Sequence, residues 1–160
     1  MANADTPNGF SPAKNIPGVT PRTGYYLAAS GKTWAEGDML TLSGAFTQLA
    51  VAGSNVLLGV AAEPTPSGGS STDPTARSRL AVYDDPNQTF EGQCSGTYTE
   101  GTDGVKTADI EGTTGIMEVN ENATSKEVVK ITSLVPKSDN ADGANAKVRF
   151  VINKHELARD

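Results

Sequence analysis

Residues 127–135 read EVVKITSLV, and the fold class turns on them. Thr124 and Glu127 have the spacing of a capping box, which would open a helix. Val128, Val129, Ile131 and Thr132 are β-branched. Such side chains are stiff in a helix and pack well on a pleated surface. The β-branched run outweighs the cap, so a strand is expected. AKVRFVIN at 146–153 points the same way, with Ala146, Val148, Phe150 and Ile152 inside and Lys147 and Arg149 outside. Asp142-Gly143, just ahead of it, is a hairpin signal.

The same alternation runs back toward the N-terminus. GDMLTLS (37–43) puts Leu40 and Leu42 on one face, Gly44 turns the chain, and FTQLA returns. VLLGVAA (56–62) is a continuous apolar run of strand length, as expected for a strand covered on both sides. GYYLAA (24–29), RLAVYD (79–84) with Leu80 and Val82 inward, TFEGQ after a turn at Asp85-Pro86-Asn87, and GIMEVN (115–120) read as further strands. Residues 97–115, rich in glycine, threonine and acids, promise weak strands at best. EPTPSGGSSTDPTARS (63–78) reads as a long exposed loop. No repeat of solenoid period is visible. The expected fold is all-β, a compact β-barrel or a jelly-roll-like sandwich, forming a single domain over residues 23–160.

Residues 1–22 read differently. Pro7, Pro12, Pro17 and Pro21 forbid a helix or a central strand there. Phe10, Ile16 and Val19 are its only apolar anchors. An extended N-terminal arm that becomes ordered on a partner is expected. Net charge is −6 and the pI about 4.7, which argues against nucleic acid and anionic membrane as partners. No apolar run reaches membrane length, the first residues lack a signal-peptide pattern, and Cys94 is alone. Assembly in a reducing cytoplasm fits these features. From Asp84 to Glu121 there are nine acids and one base, Lys106, and a solvated acidic face is expected.

Chemistry-bearing motifs fail on inspection. His155 opens HELAR, where Arg159 stands in place of the second histidine of a zinc-protease helix, so a strand-end or surface histidine is expected. SDNADGANAKVR (138–149) mimics a calcium loop but has Ser138 first and Arg149 twelfth, so a plain turn is expected. Asp84-Asp85 beside a proline is ordinary turn chemistry. The expectation is a non-enzymatic protein with no metal and no cofactor.

Four stretches carry a resemblance. NADTPNGFSPAKNI at the N-terminus, GDMLTLSGAFTQLAVAGSNVLLGVAAE (37–63), YDDPNQTFEGQ (83–93) and DNADGANAKVRFVINKHEL (139–157) resemble segments of tailed-phage capsid cement (head decoration) proteins. They cover about half of the chain in the same order, while 95–125 resembles nothing of the kind. The resemblance implies a structural virion protein on the outer capsid surface. It would bind the major capsid protein, commonly as a homotrimer at three-fold positions, with an arm that adds to a capsid strand. Phe10, Ile16, Val19 and Arg22 are the expected capsid-binding residues of that arm. The other class weighed is a virion-surface adhesin or fibre-like module binding host glycans, for which Trp34, Tyr25, Tyr26, Tyr83 and Tyr98 offer few exposed aromatics. A small hydrolase has no site in the sequence.

Overall fold

The stretch at 127–135 is a strand, and a backbone detail rules out the helix. Glu127, which would close the capping box, sits at φ 54°, outside the helical region. The computed structural model describes residues 3–13, 21–29, 31–65 and 79–157. Their order is β1 (Ser11–Pro12), β2 (Thr23–Ala28), β3 (Met39–Ser43), β4 (Phe46–Leu49), β5 (Gly59–Ala61) and β6 (Arg79–Tyr83). There follow β7 (Thr89–Gln93), β8 (Thr97–Tyr98), a one-turn helix α1 (Glu100–Asp103), β9 (Lys106–Glu111) and β10 (Glu118–Asn120). The chain ends with β11 (Val129–Leu134), β12 (Gly143–Ala144) and β13 (Lys147–Ile152). The fold is all-β.

Strands β2-β4-β3-β5-β6 close into a barrel. Its interior holds Trp34, Leu40, Leu58, Ala61, Leu80 and Val82, with Tyr26, Ala28, Leu42 and Leu49 packed against them. The β3–β4 hairpin turns at Gly44, whose φ of 61° suits glycine. In the apolar run 56–62, Leu58 and Ala61 enter this barrel while Leu57 and Val60 belong to a second core on the other side. That is why the run does not alternate.

The second core is lined by the sheet β7-β13-β11-β9-β10, with β1 added outside β7. A parallel bridge between Cys94 and Val119 brings β10 back to the end of β7, so this sheet also curls closed. The two units repeat one design, ladder by ladder. The pairs Thr23–Tyr83, Gly24–Val82, Tyr25–Ala81, Tyr26–Leu80 and Leu27–Arg79 correspond to Thr89–Val151, Phe90–Phe150, Glu91–Arg149, Gly92–Val148 and Gln93–Lys147. Val60–Tyr83 and Ala61–Val82 correspond to Lys130–Val151 and Ile131–Phe150. Met39–Val60 and Leu40–Gly59 correspond to Thr107–Lys130 and Ala108–Val129. Leu42–Thr47 corresponds to Ile110–Val119. The parallel pair closes both: Ala28–Thr47 matches Cys94–Val119, and the Ala29 amide donates to Thr47 O as the Ser95 amide donates to Val119 O. Residues 23–84 and 89–153 are therefore two copies of a five-stranded unit with identical strand order, direction and register.

Several expectations from sequence are corrected. Residues 97–115 contain a full strand, β9, with Ala108 and Ile110 buried. The acidic stretch is not uniformly solvated: Asp84, Asp109 and Glu121 are buried. Asp142-Gly143 does not close a tight hairpin, because Gly143–Ala144 pairs with Thr97–Tyr98 while β13 pairs with the distant β11. Across that long connection, the Asn140 side chain accepts from the Lys147 amide and donates to Val135 O and Lys147 O. Most of the loop expected at 63–78 lies outside the described residues. At its start Glu63 Oε1 accepts from the Ala81 amide, and Thr65 bonds to both backbone groups of Trp34.

Candidate functional site

The N-terminal segment was expected to leave the body free, and residues 3–13 instead lie along it. Ser11 and Pro12 pair antiparallel with Glu91 and Phe90, and the Ala13 amide donates to Thr89 O at 2.9 Å. Upstream, the Thr6 amide donates to Gln93 Oε1, and the Asn3 side chain donates to Ala141 O and Ala144 O. Proline at position 12 fits an outer strand, where one missing donor is harmless.

Phe10 fastens this strap. Its side chain is 2 % exposed, and its ring meets Phe150 edge-on at a centroid distance of 5.1 Å. The Phe10 amide donates to Gly37 O at 2.8 Å. A Cβ on Gly92 would stand 2.4 Å from the Phe10 ring, so glycine there makes the ring's seat. The first unit carries Tyr26 at the matching position, and among the described residues no strap lies along it. Phe10 thus brings a ring from outside to a strand position that has none of its own. This corrects the expectation for Phe10, which is a core residue and not a surface contact. Ile16 and Val19 lie outside the described residues.

Arg22 stands at the mouth of the first barrel. Its guanidinium pairs with Asp84 (Nε to Oδ1 3.2 Å), and the Tyr26 hydroxyl donates to Asp84 Oδ2 at 2.6 Å. Asp84 is 1 % exposed, so it needs both partners. Burial, reinforced by that carboxylate, raises the Tyr26 hydroxyl above its ordinary pKa. His155 is buried nearby, where β13 ends. Its Nδ1 accepts from the Leu157 amide, and desolvation lowers its pKa. Arg22 itself stays open to solvent, with 61 % of its side chain exposed, while Asp84 beneath it is buried. Among the described residues no three His, Cys, Asp or Glu side chains converge as a metal would require.

Beside the strap lies a cleft of about 160 Å³, lined by Asn8, Ser11, Glu91, Gln93, Lys137 and Lys147. Glu91 there is held by Arg149 at 3.1 Å and Lys137 at 3.7 Å, so its charges are already paired. Half-buried Glu118, raised in pKa chiefly by desolvation, accepts from the Gln93 side-chain amide at 2.9 Å. This polar seam joins strap to sheet.

Among the described residues, the edge left unpaired is at the corresponding place on the first unit. Tyr25 is 66 % exposed, the highest value among the large apolar side chains of the described residues, and Thr23, Gly44 and Ala45 around it are exposed too. Composition did not single out this edge. The signal that could have found it is the pair of motifs Gly31-Lys32-Thr33-Trp34-Ala35-Glu36-Gly37 and Gly96-Thr97-Tyr98-Thr99-Glu100-Gly101, each following the first strand of its unit. Trp34 and Tyr98 are both buried. No protein-family model matches the chain, and no curated protein matches it.

Proposed function

We propose that this is a structural virion protein of the capsid-cement class, bound to the outer surface of a tailed-phage head as a homotrimer that holds major capsid proteins together. One observation carries the reading: the four stretches that bear the resemblance pack on one another. Phe10 of the first stretch, Phe90 of the third and Phe150 of the fourth stack in one aromatic group. The second stretch joins them through Gly37, which accepts from Phe10, and through Leu57, which bridges to His155. The unmatched region 95–125 supplies the far strands β9 and β10. Four weak likenesses scattered at random along a chain would have no reason to meet in one core.

The mechanism in this reading is mechanical. Outward pressure from packaged DNA opens a capsid at joints between capsomers. A body whose two units share one apolar core resists shear, and several bodies engaged at once hold far more strongly than one. The test is quantitative proteomics on purified virions beside a heating assay on heads with and without the protein. Expected are a copy number comparable to that of the major capsid protein and a higher temperature of DNA release when the protein is bound. A tail-like copy number together with binding to host glycans would overturn it in favour of an adhesin.

A further inference from the structure

The two units differ in one consequential way: among the described residues, an edge that a strand covers in the second has no such strand in the first. In the second unit β1 lies against Phe90 and Glu91 of β7, on the side where β7 later meets β10. The corresponding residues of the first unit are Gly24 and Tyr25 of β2. There β4 pairs only with Leu27 and Ala28, and among the described residues no strand pairs with Thr23–Tyr25 on that side.

The direction of the free groups follows from strand geometry. Backbone N–H and C=O of one residue point to the same side of a strand, and alternate residues share a side. The Ala29 amide points to β4, since it donates to Thr47 O. Leu27, Tyr25 and Thr23 therefore face that side as well. The second unit shows the same phase, because Thr89, the counterpart of Thr23, accepts from Ala13 of the strap. Thr23 and Tyr25 thus present donors and acceptors in the arrangement that binds a strap in the other unit.

We propose that this edge is a strand-addition site that takes an extended segment of the major capsid protein. The proposal rests on the cement reading. Residues 3–13 of the chain are committed to the second unit through buried Phe10, and the cement reading makes the major capsid protein the occupant of the first. Where β7 has Gly92, β2 has Tyr26, so the first unit offers no glycine seat for an incoming ring. The incoming segment therefore needs no aromatic anchor: it pairs by its backbone and lies against the exposed Tyr25 ring.

Amide hydrogen exchange on the full-length protein, free and bound to expanded, DNA-free heads of the cognate phage, tests this without a mutation. The Thr23 and Tyr25 amides are expected to exchange fast in the free protein and at least about tenfold slower on heads. Tyr25→Pro removes one donor at an outward-facing edge position, where proline is tolerated. Its melting temperature should stay near wild type while its co-sedimentation with heads weakens about tenfold. Unchanged exchange at both amides, or a folded Tyr25→Pro variant that sediments as wild type does, overturns the edge assignment alone. Wild-type protein that never sediments with heads overturns the cement reading with it. Protection that develops on concentrating the free protein would make the occupant a second copy and overturn the choice of partner.

Discussion

Gly92 stands where the first unit has Tyr26, and Phe10 makes up the difference. Gly92 leaves space above its strand, and the ring of residue 10 fills that space against Phe150. Phe10→Ala should therefore cost about 3–5 kcal/mol, the range for truncating a buried phenylalanine. Urea denaturation checks this, and a loss under about 1 kcal/mol would mean that the strap is only laid on the surface. The repeat also predicts a rescue. In the Phe10→Ala background, Gly92→Phe should recover part of the loss, since the first unit holds an aromatic there; in the wild-type background the same change should destabilise, because two rings would compete for one seat. Sequence revealed Phe10 as an anchor from its isolation among prolines. It could not reveal the anchor's target, because the seat is a glycine, and a missing side chain leaves no pattern to read.

Among elements, β9 was hardest to read and is instructive for that reason. KTADIE alternates Ala108 and Ile110 with Asp109, but it sits in a stretch dominated by glycine, threonine and acids that reads as weak strand at best. Asp109 is in fact a turn support. Its carboxylate accepts from the amides of Lys126 and Glu127 and from the Ser125 hydroxyl, at 2.7 to 3.2 Å. Those contacts hold Glu127 in its left-handed conformation and aim the chain into β11. Asp109→Ala would strand these donors, costing on the order of 1–3 kcal/mol. Amide exchange at Lys126 and Glu127 should rise with the loss, and an unchanged rate there would show that the turn holds itself. The strands legible from sequence, β3, β5, β6 and β13, are those whose burial follows from apolar spacing alone. β9 is held by a buried carboxylate, and a lone aspartate in sequence looks like solvent.

For the whole molecule, the repeat explains how one unit docks on the other. The paired residues Met39 and Val60 lie on the outer face of the first barrel and are buried in the second unit's core, and the Met39 amide donates to Met117 Sδ. Their counterparts on the second unit are Thr107 and Lys130, and Lys130 is exposed. One unit thus carries an apolar face that docks, and the other carries a polar, solvent-facing surface at the corresponding place. The duplication escaped the sequence for this reason: corresponding positions face a core in one copy and water in the other, so their side chains diverged while the backbone ladders did not. Val60→Lys, which copies the second unit's residue into the first, should bury an unpaired charge at the junction. The first barrel keeps its own interior of Trp34, Leu40, Leu58, Ala61, Leu80 and Val82. The second unit loses the cover that Met39, Ala50, Leu57 and Val60 give its core. Calorimetry of the wild type should show one transition, because that shared core couples the units. The variant should show two, the second unit melting first. Lys130→Val, the mirror change on the exposed face, should shift stability by no more than about 0.5 kcal/mol. If Val60→Lys melts in one step at the wild-type temperature, the junction contributes nothing, and the two units are held together by the chain alone.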